Sequence, residues 1–230
     1  MKRLFLFLLC YSLFASYGQG SGKALSFSGP QTYFAVEDKA TLRLTTNFSL
    51  SAWVKTGKDS GTILSKTDYY PPWRGFAFGI GPNAGGLPAF WPNNADGWKT
   101  ATTRVDDDRW HHLAVTIQGN QLQFYVDGLP DGPRIALSSP IGTSLEALQC
   151  GYEQNPNASP RFFAGNIDEV RIWNRALSQD EIRHHMCEKL TGTEPGLVAY
   201  YRMDEGTDNT CPGGQDVCDA SGNGHHGIKF

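Results

Sequence analysis

The apolar residues of this 230-residue chain recur in short runs at every second position, and that period constrains the fold more than any other feature. In an extended strand successive side chains point to opposite faces, so such a run makes a ribbon with one face to bury. Phe48, Leu50, Ala52 and Val54 share one face, and Phe76, Phe78 and Ile80 repeat the spacing. Along Trp110–Ile117 the residues Leu113, Val115 and Ile117 are in phase. Gln118-Gly119-Asn120 then reads as a turn into Leu122–Val126, which ends at a second turn signal, Asp127-Gly128. One helix stands out. Ser178 and Glu181 form a capping box, Leu177 and Ile182 occupy the positions of a hydrophobic staple, and Gly192 follows as the expected stop. The fold class predicted is all-β, a two-sheet antiparallel sandwich with one short helix in the C-terminal part.

The first residues bear on the compartment. Lys2 and Arg3 precede an apolar stretch from Leu4 to Phe14, and Ser16-Tyr17-Gly18 has the small-x-small pattern of a cleavage site. Residues 1–18 therefore read as a secretory signal peptide and 19–230 as one exported domain. Removing Lys2 and Arg3 leaves 18 basic against 23 acidic side chains, a balance of −5. An acidic surface without a Lys/Arg cluster argues against nucleic acid as partner, and no later run is long and apolar enough for membrane insertion. Four cysteines remain, Cys150, Cys187, Cys211 and Cys218. An even number in an exported chain implies disulfides, and three pairings are possible. Cys211–Cys218 closing a short Pro-Gly-Gly loop, with Cys150–Cys187, is preferred.

Several segments resemble the signature strands of one family in order: Gly22–Gly29, Phe48–Val54, Trp110–Val115, Phe124–Gly128, Gly165–Asn174 and Ala176–Ser178. Together they resemble the laminin-G-like jelly rolls of the concanavalin A-like lectin/glucanase superfamily. The resemblance implies two antiparallel jelly-roll sheets, a structural calcium ion, and binding of a glycan or an extracellular protein. Gly196–Gly206 and Asp219–Gly227 resemble the segment that often opens such a domain. Residues 196–230 either close this sandwich with a strand and loop or begin a truncated second repeat, and closure is favoured because an unpaired apolar strand aggregates.

Asp168, in phase with Val170 and Ile172, is expected on the core side, and Glu169 beside Arg171 on the water side. A carboxylate on a buried face must be paired, hydrogen-bonded or bound to metal. Asp168 is thus either a calcium ligand or a cap on loop amides. Asp219-Ala-Ser-Gly-Asn223 offers oxygens at a tight bend, and the resemblance makes Asp168, Asp219 and Asn223 the expected calcium set; Glu37 and Asp38 are further candidates. His111 and His112 are adjacent on a strand and cannot converge on one metal. The glycosidase alternative needs two facing carboxylates, yet no Glu-x-Asp-x-Glu run exists, and Asp106-Asp107-Asp108 reads as a loop. Tyr69, Tyr70, Trp73, Arg74, Trp91, Asn93 and Trp98 are the expected ligand-binding residues, because flat aromatic faces stack on sugar rings and Tyr, Trp and Arg dominate protein-binding hot spots. The function expected is a secreted, non-catalytic binding module for carbohydrate, with an extracellular protein as the alternative partner.

Overall fold

A computed structural model describes residues 23–29, 32–68, 70–82, 84–154, 160–204, 211 and 214–230. The expected signal peptide and Tyr69 lie outside these residues. In chain order the strands are β1 (Leu25–Ser28), β2 (Phe34–Val36), β3 (Phe48–Lys55), β4 (Gly61–Thr67), β5 (Gly75–Ile80), β6 (Pro88–Trp91), β7 (Lys99–Thr100) and β8 (Trp110–Gln118). They continue with β9 (Gln121–Val126), β10 (Leu129–Ala136), β11 (Leu148–Cys150), β12 (Tyr152–Glu153), β13 (Arg161–Phe162) and β14 (Ala164–Trp173). Helix α1 (Gln179–Met186) follows, then β15 (Leu197–Tyr201) and β16 (Ile228–Lys229).

These strands form a sandwich of two antiparallel sheets. Sheet A runs β1-β14-β3-β8-β9-β10, with β15 on the same edge of β14 as β1. Sheet B runs β16-β2-β11-β4-β5-β6-β7, and β12 and β13 make a small hairpin that lies against β4. The alternating residues Phe48, Leu50, Ala52, Val54, Phe76, Phe78, Ile80, Leu113, Val115 and Ile117 all join one core between the sheets. The Asp127-Gly128 turn has φ of 51° and 74°, the left-handed pair that a two-residue hairpin requires. Residues 196–230 place a strand in each sheet: β15 pairs with β14, and β16 pairs with β2.

Helix α1 packs on the outer face of sheet A. Its capping box is present in both directions, and Leu177 and Ile182 join Trp173, Leu190, Leu197 and Tyr200 in a second apolar cluster. The helix ends at Met186 with Cys187 as its cap, so Gly192 is not its stop. Gly192 instead lets the chain pass the Ala220 carbonyl, 2.1 Å from where a Cβ would stand.

Cys211 and Cys218 are disulfide-bonded. The expected Cys150–Cys187 pair does not form, because Cys150 is a free, buried thiol. It lies in the core between the sheets, whereas Cys187 caps a helix on the far side of sheet A. Sheet A stands between the two sulfurs.

Candidate functional site

Outward-facing positions on sheet B follow from the register. Phe78 and Phe90 pair across β5 and β6 and face the core, so Ala77 and its partner Trp91 face out. Phe90 pairs with Lys99 and Ala89 with Thr100, so Trp98 stands just before β7 at the end of sheet B where β6 finishes in Trp91. Arg161, from the β12–β13 hairpin, holds its guanidinium carbon 4.9 Å from the Trp98 ring centroid. The same guanidinium pairs with Glu153, whose Oε2 also accepts from Thr62 Oγ1 at 3.1 Å. Burial pushes the Glu153 carboxyl above its ordinary value, and Arg161 and Thr62 pull the other way.

On the other side of the hairpin the outer face carries a ladder of rings. Phe162 and Tyr152 are 4.8 Å apart, Tyr152 and Tyr33 4.6 Å, and Tyr33 and Phe230 4.9 Å. Phe162, Tyr152 and Tyr33 are half-buried and Phe230 is 59% exposed. Trp91, Trp98 and Arg161 thus continue through the hairpin to Tyr33 and Phe230, an aromatic band across sheet B. The ladder residues were not singled out in the sequence, because Tyr33, Tyr152 and Phe230 stand in three distant segments and only strand pairing joins them.

The remaining expected ligand residues separate. Tyr70, Trp73 and Arg74 occupy the β4–β5 loop, at the same end of sheet B as Trp91 and Trp98. Tyr70 is 73% exposed, and Arg74 uses its Nε to close the loop on Asp68 at 2.8 Å. Asn93 is engaged within its own loop: its Nδ2 donates to Asp96 and Ser139, and its Oδ1 accepts from Asp96 N at 2.9 Å. It shapes the turn that presents Trp98.

The expected calcium set does not gather. Asp219 Oδ1 accepts from Tyr200 N and Ser221 N, and Oδ2 accepts from Ser221 Oγ and His225 N, all within 3.0 Å. Asn223 Nδ2 donates to the Leu197 and Val198 carbonyls. This is a latch that fastens the C-terminal loop onto β15. Among the described residues no three His, Cys, Asp or Glu side chains converge, and the arrangement of Asp168, Asp219 and Asn223 does not fit a calcium ion. Asp38 is taken up by Arg43 and Lys66, and Glu37 pairs with Lys39.

Asp168 faces outward, opposite to its expected direction. The pairing of β14 with β3 shifts between Asp168 and Arg171, and Glu169 there has φ of 52°. This bulge adds one residue and flips the phase. Ile167, Val170 and Ile172 all reach the core, while Asp168 and Arg171 lie on the outer face beneath α1. Nor does Glu169 face water. Buried at 3% exposure, it pairs with Arg171 and accepts from the Tyr200 hydroxyl. Arg171 donates onward to the His185 and Glu188 carbonyls, so the motif docks the helix C-terminus. Asp168 Oδ1 accepts from Glu169 N, while Oδ2 is buried with no partner among the described residues. Burial, with Glu169 and Asp204 nearby, pushes its pKa to about 7. His112 lies under the same helix, edge-on to Trp53, and burial lowers its pKa to about 3. His111 points the other way, between Asp127 and Asp107.

Comparison with known proteins agrees with this architecture. A laminin-G family model, described as the concanavalin A-like lectin/glucanases superfamily, matches residues 27–183. The chain is 26% identical over 197 residues to a zebrafish (Danio rerio) protein, adhesion G-protein coupled receptor V1, covering 77% of this chain but 3% of the receptor. Among solved structures it resembles a Bacteroides ovatus protein classed as carbohydrate binding, with TM-score 0.66, 20% identity, and coverage of 90% of this chain and 58% of that one. It also resembles the CBM40 domain of a Ruminococcus gnavus sialidase bound to sialyllactose, with TM-score 0.57, 15% identity, and coverage of 71% and 96%. With sheets, helix and family match in agreement, the chain belongs to the concanavalin A-like lectin/glucanases superfamily, as a laminin-G-like domain.

Proposed function

We propose that this chain is an extracellular, non-catalytic binding module that holds saccharide along the aromatic band of sheet B. One observation carries the reading: Trp91 and Trp98 stand at the same end of sheet B, with Arg161 fixed over Trp98 by its ion pair with Glu153. Rings held on a rigid sheet offer flat apolar faces at low entropic cost, and a guanidinium beside them can donate to sugar hydroxyls. The carbohydrate-binding character of two similar structures supports the same class of ligand. The absence of catalysis rests on the carboxylates. Glu153 is tied to Arg161, and Asp168 and Glu169 lie beneath α1, so none of the three stands free beside the rings.

A protein partner is the second reading, favoured by the exposed rings of Tyr70 and Phe230 and by the similarity to an adhesion receptor. Glycan-array binding of the purified chain, set beside its W91A/W98A variant, separates the two. Retained glycan binding in the double variant would remove the saccharide reading from this face, and no binding by either protein would move the weight to a protein partner. A loss of about 2 kcal/mol or more, the size of a hot-spot truncation, is the expected result.

A further inference from the structure

The outer face of sheet A carries a recess, on the part that α1 leaves uncovered. Because Leu113, Val115 and Ile117 of β8 face the core, Thr116 and Gln118 face out, opposite Gln123 and Gln121 of β9. Tyr125 and Arg134 extend this face, and the first turn of α1 with the residues before it makes the far wall. The recess has a volume of about 430 Å³. That falls within the roughly 300–1,000 Å³ of ligand cavities.

Its chemistry is polar and contains two charged side chains. Glu181 is already committed: its Oε2 accepts from Ser178 N at 2.8 Å, and its Oε1 takes Arg175 Nη1 at 2.6 Å. Burial pushes the Glu181 carboxyl up, but these donors outweigh it and hold the group below its ordinary value. Arg134 is the opposite case. It is exposed on β10 and makes no hydrogen bond or ion pair among the described residues. Gln123 is 7% exposed and spends its Nε2 on the Phe124 and Gly132 carbonyls, which leaves its amide oxygen as an acceptor. The wall thus offers one uncommitted guanidinium among amides and hydroxyls. A guanidinium takes a carboxylate in a two-pronged hydrogen bond, and amides and hydroxyls read sugar hydroxyls.

We propose that this recess is a second binding site, on the opposite sheet from the aromatic band, and that it takes an acidic saccharide through Arg134. The assignment does not rest on saccharide binding at Trp91 and Trp98, and the two sites are separable by variant. Calorimetric titration with trigalacturonate, sialyllactose and a hyaluronan tetrasaccharide, beside neutral galactotriose, tests it on the full chain, on R134Q and on W91A/W98A. Arg134 is exposed, so R134Q does not disturb the fold. The expected result is binding of at least one acidic saccharide that weakens about tenfold or more in R134Q, as loss of a charge-assisted pair requires. It stays within about twofold in W91A/W98A, and R134K recovers part of the loss because it keeps the charge without the fork. The proposal is overturned if none of the three acidic saccharides binds, if R134Q binds them as well as the parent, or if their binding is lost in W91A/W98A instead.

Discussion

At Asp168 a carboxylate held under a helix makes stability depend on pH in a direction opposite to the usual one. Its pKa of about 7 lies above the ordinary 3.8, so the folded chain binds the proton more tightly than the unfolded chain. Its contribution therefore falls as pH rises between about 4 and 7. His112, lowered to about 3 by burial, acts in the other direction: it is neutral when folded and charges on unfolding below its ordinary 6.5. Over the acid range the two oppose each other, and single variants separate them. Asp168→Asn keeps the acceptor for Glu169 N and removes the buried charge. It should raise thermal stability at pH 8 by on the order of 2 kcal/mol, with little gain at pH 4; equal Tm gains at both values would contradict the burial argument. Cys150 supplies another residue-scale test. Burial pushes its thiol well above the ordinary value, so in the folded chain it should resist thiol reagents and react only once denatured. The Asp168 environment was illegible in the sequence because a bulge of one residue inverted the phase, and nothing in Ile-Asp-Glu-Val-Arg announces where that residue falls.

At the level of elements, the strands that read clearly in the sequence are those with one face in the core, β3, β5, β8 and β9, since period two and burial coincide there. Helix α1 was legible through its cap at Ser178 and its staple, but not in its end, because tertiary contacts of Arg171 with the His185 and Glu188 carbonyls finish it before Gly192. The latch at Asp219 belongs to the same scale. Asp219→Ala leaves the Tyr200, Ser221 and His225 amides without their acceptor. It should cost about 3 kcal/mol, read as a fall in Tm that is equal with calcium and with chelator. A fall seen only when calcium is present would return Asp219 to the role of metal ligand.

Across the whole molecule, the sandwich offers two outer faces of different chemistry. Sheet B presents rings backed by Arg161, and sheet A presents amides, hydroxyls and Arg134 beside α1. Trp91 and Trp98 were legible as candidate stacking aromatics, although Trp91 ends strand β6; Arg161, Tyr152 and Tyr33 were not, since their place on this face depends on a hairpin folding back over β4. Asn93, between β6 and β7, serves its own turn. The chain's six tryptophans allow the central claim to be read directly. A nitrogen-15 NMR titration of the indole N–H signals, with a saccharide that binds on the array, should shift the Trp91 and Trp98 resonances. Those of buried Trp53 and Trp173 should stay in place. A bound saccharide that leaves Trp91 and Trp98 unmoved would contradict the assignment of the sheet B band as the binding surface.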